Sequence, residues 1–380
     1  MAHYKMSDVV TEVNERENNP ANSKYDRFVG LEHYVSGEVI IRNYGSTERL
    51  ESTMKVFQAG DILIARRNVF LKRASTVDFD GLTSGDSIVL RAKDPEIGRI
   101  LPFVLNTDAF WDFADQYSDG TMSKRLSPKT LMTFEFDLPD GDELSKLADI
   151  LWAANDTRES YQALLKQADE LVKSQFIELF GDPISNSKSL PIKQLSDLAS
   201  SRLGKMLDAK KQTGKHRHPY LANFNVQWFY FDFSTLNQMD FDEADQIEFS
   251  LENGDLMVCE GGEVGRCAIW RGEIKHCYFQ KAVHRVRCNI RQVLPEYLAW
   301  WFKFHSDYNG FADIVGSKAT IAHLPGVKLK KLEIPVPNIE DQERFVRFIE
   351  QLDKSKFELR QGIANINNLM NSLMQQDFSN

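Results

Sequence analysis

FQAGDILI, residues 57–64, and LENGDLMV, residues 251–258, decide how this chain folds. Each places a Gly-Asp pair before a short apolar run, the pattern of a tight turn feeding a buried strand. The offset between them is 194. Working outward, Pro102-Phe103 matches Pro295-Glu296 at 193, and FDLP (136–139) matches IPVP (334–337) at 198. A Gly-Asp pair before a strand is common, so one match alone carries little. Three ordered matches at nearly constant offset, each running into a long helical pattern, make a duplication. The period is far too long for a solenoid. It predicts two copies of a domain-plus-helix unit in a pseudo-two-fold arrangement.

The boundaries that follow are 1–139 and 184–337 for the globular copies, and 140–183 and 338–380 for the helices. In the first helix Leu144, Leu147, Leu151, Ala154, Arg158, Tyr161, Leu165, Ala168, Val172, Gln175 and Leu179 alternate at steps of three and four. That is the narrow seam of a coiled coil, with Arg158 and Gln175 as polar interruptions. Gly181-Asp182-Pro183 stops it. The second helix carries Phe345, Phe348, Leu352, Leu359, Ile366, Met370 and Leu373 on the corresponding stripe. At 1.5 Å per residue each helix is roughly 60 Å long. A thin seam of that length needs a partner like itself, and the chain holds one; antiparallel pairing of the two is expected.

The globular copies alternate short strands with turns, at Asp61–Ala65, Ser87–Leu90, Asp255–Cys259, Cys267–Trp270 and Val283–Arg287. Short helices are expected after Pro102 and Pro295. The expected class is α+β, with small, strongly bent sheets.

Composition narrows the function. With 42% hydrophobic and 27% charged residues the chain is an ordinary globular one. No apolar run approaches the roughly 20 residues of a spanning helix. The polar start, Met1 to Asn22, is not a signal peptide. Four cysteines without close pairs suit a reducing compartment, so a cytoplasmic location is expected and no membrane contact. The net charge of −9 divides into −4 for 1–139, −6 for 140–183, +3 for 184–337 and −2 for 338–380. Most excess acid thus falls in or beside the helices. The local field, which decays over roughly 8 Å at physiological salt, leaves DNA binding by the globular copies open.

No glycine-rich cofactor loop, Asn/Asp-Pro-Pro-aromatic motif or phosphate-cradling Gly-Lys-Ser/Thr loop is present, so neither methyl transfer nor ATP hydrolysis is expected. Cys259, Cys267, Cys277 and Cys288, with His276 and His284, suggest zinc. Their spacings of 8, 10 and 11 fit no knuckle or finger, and buried thiols in successive strands account for them. No catalytic residue, cofactor or metal is expected. Trp228, Trp270, Trp300 and Trp301 read as core groups.

DNA contacts are expected from basic and amide side chains on loops. Arg66, Arg67, Asn68, Lys72 and Arg73 follow the first Gly-Asp strand; arginine can address guanine bidentately and Asn suits adenine. Such a charge run is as readily a solvated turn. Ser123, Lys124 and Arg125 correspond in order to Ser317, Lys318 and Thr320, each set after a glycine and before the exit strand. Lys205, Lys210, Lys211, Lys215, His216, Arg217 and His218 form the densest basic segment, a phosphate-tracking loop.

SQFIELFGDP (174–183) closing a long helix resembles the end of the central conserved region of type I restriction-modification specificity subunits. LEIPVPNIEDQERFVRFIEQLDK (332–354) is similar to that family's junction: an apolar strand, a Pro-x-Pro turn, a Gln-centred acidic cap and a coiled-coil helix. GDLMVCEGGEVGRCAIW (254–270) resembles the hairpin of its target-recognition domains. The resemblance covers essentially the whole chain in order. It implies a non-catalytic subunit that binds an asymmetric, two-part site on double-stranded DNA, each recognition domain reading one half and the paired helices setting the gap. It also implies partners: two copies of a methyltransferase subunit, to which any base flipping would belong, and a motor-nuclease subunit. Half-sites one helical turn apart, roughly 34 Å, can be bridged by domains on such a rod. The first copy departs from the pattern. It has RNVFL (67–71) where the second has GGEVG (261–265), and its junction FDLPDGDE (136–143) lacks the second proline and the Gln. The rival readings are a protein-binding coiled-coil scaffold, which the acidic balance favours, and an orphan or decoy specificity protein.

Overall fold

The computed structural model describes residues 1–121, 123–208, 212–312 and 323–378. The chain divides into two compact units, Met1–Ala163 with Leu359–Asn380, and Leu164–Glu358. The division falls inside two long helices, so each unit holds one half of each.

In the first unit, β1 (Ala2–Lys5) runs through the one-turn helix α1 (Met6–Val9) into β2 (Val10–Glu12). β3 (Arg16–Glu17), β4 (Arg27–Val29), β5 (Gly45–Ser46) and β6 (Met54–Phe57) precede the quoted strand, β7 (Ile62–Ala65). Then come β8 (Ala74–Thr76), β9 (Gly81–Thr83) and β10 (Ser87–Ala92), and α2 (Pro95–Val104), α3 (Asp108–Tyr117) and α4 (Pro128–Leu131). β11 (Glu135–Leu138) leads into α5 (Asp142–Phe180), of 39 residues. The main sheet has the order β2-β10-β7-β8, a second has β3-β6-β9-β4-β5, and β1 pairs antiparallel with β11.

The second unit repeats this. β12 (Ile192–Gln194), α6 (Leu195–Leu198) and β13 (Ala199–Leu203) open it. β14 (Arg217–Leu221), β15 (Asn237–Asp240), α7 (Glu243–Glu248), β16 (Leu256–Cys259), β17 (Cys267–Ile269), β18 (Tyr278–Phe279) and β19 (Val283–Cys288) follow. α8 (Pro295–Asp307), α9 (Gly326–Lys330) and β20 (Glu333–Pro335) lead to α10 (Ile339–Phe378), of 40 residues. Its main sheet has the order β13-β19-β16-β17, and β12 pairs antiparallel with β20. A parallel pair recurs as well, β4–β9 in one unit and β14–β18 in the other.

The duplication extends to single atoms around the Gly-Asp turn. Gly60 and Gly254 have φ of 89° and 94°, left-handed backbone that costs glycine nothing. Asp61 and Asp255 are buried, and each carboxylate accepts the amide three residues upstream: Gln58 at 2.8 Å, Glu252 at 2.7 Å. Each also takes a bidentate arginine from the neighbouring strand, Arg91 at 2.7 and 2.7 Å, Arg287 at 2.7 and 2.8 Å. The offset read from sequence thus aligns a buried ion pair as well as a turn.

The expected strands all form, within two residues of the expected ends. One proline match does not hold. The helix after β10 starts at Pro95 with Asp94 as its cap, and Pro102 lies inside its last turns. Near the end of a helix a missing N–H forfeits a single bond, so Pro102 is tolerated there and signals no start.

The two long helices pack antiparallel within each unit. In the first, Leu144, Leu147, Ala148 and Leu151 of α5 share a core with Met370 and Met374 of α10. In the second, Val172, Phe176 and Phe180 share one with Phe345 and Ile349. Burial of a side chain of this size is worth about 1.5–3 kcal/mol. Arg158, which interrupts the seam, is buried because it reaches out of the helix to Glu38 at 2.8 Å and back to Asn155 at 2.8 Å. The junction motif also has its reason. Gln342 is wholly buried; its Nε2 donates to Gln292 O and Pro337 O at 3.0 and 2.9 Å, and its Oε1 accepts Leu294 N at 2.8 Å. One side chain thereby ties the helix start to the turn before α8.

Candidate nucleic-acid interface

The loop after β7 and the segment before α4 meet, although Asn68 and Ser123 are 55 positions apart in sequence. Arg67 and Arg125 form a β-bridge, Asn68 N donates to Lys124 O at 2.9 Å, and Leu126 N donates to Arg66 O at 2.9 Å. Ser123 Oγ adds a bond to Asn68 Oδ1 at 3.0 Å. Two site segments expected separately from sequence are therefore one surface.

The same main-chain frame stands in the second unit. Gly261 bridges His323, and Leu324 N donates to Glu260 O at 2.6 Å. Arg66 N donates to Asp86 O and Glu260 N to Ala282 O, both at 2.9 Å. Arg73 Nη1 reaches Leu31 O at 3.0 Å, and Arg266 Nη2 reaches Asn223 O at 2.9 Å, each fastening the loop to the segment after β4 or β14. Asn68 (φ 55°) and Lys72 (φ 46°) occupy the left-handed positions that Gly262 (φ 79°) and Gly265 (φ 82°) hold in the second loop. The glycines that the first copy lacks in sequence are thus replaced by an Asn, which tolerates this backbone, and by a Lys, which does so at a cost of about 1–2 kcal/mol.

What differs is the side chains. In the first unit Asp86 Oδ2 accepts Arg67 Nη1 at 3.3 Å, and its Oδ1 accepts Arg125 Nη2. Arg66 sits beside them; burial, with Arg125 nearby, lowers its pKa. At the three corresponding places the second unit has Gly261, Ala282 and His323. Lys72 pairs with Asp108 at 2.7 Å and Lys124 with Asp115 at 2.6 Å, so both cations are already engaged. Burial lowers the pKa of Arg73.

Two parts of the basic segment of the second unit lie among the described residues. Lys205 Nζ donates to Asp240 O at 2.7 Å, pairs with Asp245 and lies over the Phe241 ring, an internal tether. Lys215 and Arg217 are exposed beside a turn whose amides are gathered on the Asp240 carboxylate, with Gly214 N at 2.7 Å and His216 N at 3.2 Å. Lys210, Lys211, Ser317, Lys318 and Thr320 lie outside the described residues. By its place in the frame His323, not one of these, stands where Arg125 stands.

Asp86, Arg266, Asn223 and His323 were missed in the sequence. Only superposing the two copies residue by residue could have found them, because each acts on a segment far away in the chain. His284 is buried in β19 with Nε2 3.0 Å from Leu324 O, and burial holds its pKa below the ordinary value. The four cysteines are free thiols, and among the described residues no group of three His, Cys, Asp or Glu could hold a metal ion. Among them, too, no helix is long and apolar enough to cross a membrane.

Comparison with known proteins bears on this geometry. Residues 189–368 match the family described as the type I restriction modification DNA specificity domain. Over 181 residues the chain is 23% identical to the specificity subunit of the type I restriction enzyme EcoKI of Escherichia coli K12, covering 45% of this chain and 39% of that one. Over 133 residues it is 28% identical to the EcoBI specificity subunit of Escherichia coli, covering 34% and 27%. The match therefore spans well under half the length of these relatives. The fold is similar to that of the type I restriction-modification S subunit from M. genitalium, with a TM-score of 0.59 at 13% identity over 100% of this chain and 96% of that one. What these comparisons establish is a type I restriction modification DNA specificity domain match confined to residues 189–368, on a fold similar to that of an S subunit along the whole chain.

Proposed function

We propose that this chain reads double-stranded DNA without cutting or methylating it, as the subunit that sets the target of a type I restriction-modification enzyme. The target is asymmetric and in two parts, one read by a recognition domain spanning 1–139 and the other by one spanning 184–337. The helices, 140–183 and 338–380, set the gap and carry two copies of a methyltransferase subunit, which a motor-nuclease subunit joins in the cytoplasm. The observation that supports this best is the repeated loop frame. Main-chain bonds hold two equivalent loops in one geometry, while the side chains on them differ: Arg67, Asp86 and Arg125 against Gly261, Ala282 and His323. One frame with two sets of side chains is what reading two different half-sites requires. Side chains supply the sequence information, and phosphate contacts supply register.

The test is methylation sequencing of genomic DNA from cells expressing this chain with its neighbouring methyltransferase, and with that methyltransferase alone. A split, asymmetric motif methylated only when the chain is present is the expected result. Unchanged methylation, with both proteins stably expressed, refutes it.

A further inference from the structure

Among the described residues the Arg67–Asp86–Arg125 cluster has no counterpart in the second unit, while main-chain bonds and the Arg73 side chain tie the loop down beside it. We propose that Arg67 reads a guanine in the half-site of the first unit, and that Asp86 and Arg125 are its positioning residues. This rests on the DNA-reading function proposed above.

The geometry selects the ligand. Asp86 engages Arg67 through Nη1 only, at 3.3 Å. Among the described residues the Nε–Nη2 edge of Arg67 meets no partner, and the side chain is 49% exposed. That edge carries two parallel N–H donors, which match the O6 and N7 acceptors of guanine in the major groove. A phosphate offers two acceptors as well, and Arg66 and Arg125 beside the pair attract its charge; what favours a base is direction, since a phosphate is met by a cation in many orientations whereas O6 and N7 call for two parallel donors already in place. Holding Arg67 on Asp86, and Asp86 on Arg125 as well, also reduces the rotamer freedom that binding would otherwise remove. The segment bearing Arg125 is fixed in turn, with its N–H and C=O both bonded to Asp119 at 2.8 and 3.1 Å.

The experiment selects binding sites from randomised duplexes, using the full chain in complex with its methyltransferase subunits. Wild-type complex should return a two-part motif with a guanine in one half. Arg67→Lys keeps the charge and removes the fork. It should lower preference for that guanine by about 5- to 150-fold, the range of one bidentate pair, and leave the other half of the motif unchanged. Asp86→Asn should relax the same position with no change in the thermal midpoint, and Asp86→Glu should restore part of the preference. A motif unchanged by Arg67→Lys overturns the proposal, since lysine would serve equally at a phosphate. So does equal weakening on every sequence, or a change that maps to the other half. A wild-type complex that returns no motif overturns the DNA-reading function itself, an outcome distinct from all of these.

Discussion

Asp61→Asn and Asp255→Asn remove the same carboxylate from the two units, and the structure ranks their costs. Each aspartate is 1% exposed, and its carboxylate accepts three N–H groups, two of them from an arginine. Asparagine keeps the shape but turns an NH2 group toward the guanidinium and leaves one oxygen for three donors. Hydrogen bonds to a charged group are worth about 1.5–3 kcal/mol, and a fully buried pair broken on one side costs about 3–5 kcal/mol. Arg91 is 40% exposed, so water recovers part of that, and about 2–3 kcal/mol remains for Asp61→Asn. Arg287 keeps a second carboxylate, Glu252 at 2.7 Å, so Asp255→Asn should cost about 1–2 kcal/mol. Because two units need not unfold together, the assay is amide hydrogen exchange followed by mass spectrometry. Peptides covering β7 and β10 should exchange roughly 30- to 150-fold faster in Asp61→Asn, at tenfold per 1.4 kcal/mol. Those of β16 and β19 should be unchanged by it, and should speed up about 5- to 30-fold in Asp255→Asn. Equal or reversed ranking refutes the assignment of Glu252 as a reserve partner. Acceleration spread over both units would mean that the pair is not the local anchor argued here.

Gln342→Ala deletes three buried hydrogen bonds and should cost about 3 kcal/mol, read as loss of protection at Leu294 and along the start of α10. Gly265→Ala adds a Cβ 2.6 Å from the Phe311 ring at φ +82°; strain and crowding together should cost about 3 kcal/mol, visible as a lowered thermal midpoint. Burial lowers the pKa of both His284 and His305 from 6.5, so the folded second unit binds fewer protons than the unfolded chain. Its stability is therefore full above pH 6.5 and falls as pH drops below that value. His284→Phe should flatten the slope measured in urea unfolding between pH 7 and 5, and an unaltered slope would refute the assignment.

The sequence disclosed what repeats with a fixed spacing. The Gly-Asp turns, the strands after them and the long helices carry their own local signals, and the two copies reinforce each other. It could not disclose what depends on separate segments meeting. Asp86 is one acid among many until β10 brings it under Arg67, and Lys205 reads as a free cation until Asp245 is seen beside it. Arg158 looked like a flaw in a seam because its partner, Glu38, lies 120 residues upstream. The missing glycines of the first loop misled for another reason. A left-handed position can be filled by Asn68 or Lys72 at modest energetic cost, so absence of glycine did not mean absence of the turn.

The separation of frame from side chain has a consequence for stability. Arg67 and Arg125 are about half exposed, and ion pairs of that kind contribute about 0–1 kcal/mol, so Arg67→Ala and Arg125→Ala should each shift stability by no more than that. Arg73 is different: its Nη1 and Nη2 donate to the carbonyls of Leu31 and Arg67 at 3.0 and 3.1 Å, and among the described residues no other side chain donates to them. Arg73→Met keeps most of the apolar stem and orphans both, which should cost about 2–3 kcal/mol. Thermal or urea unfolding of the three variants therefore separates loop from frame. If Arg67→Ala proves as costly as Arg73→Met, the side chains proposed to read the target are part of what holds the loop, and the target could not be altered without rebuilding the unit. If the costs divide as expected, residues 67, 86 and 125 are free to change with the target proposed for them, as the different side chains Gly261, Ala282 and His323 on the same frame already indicate.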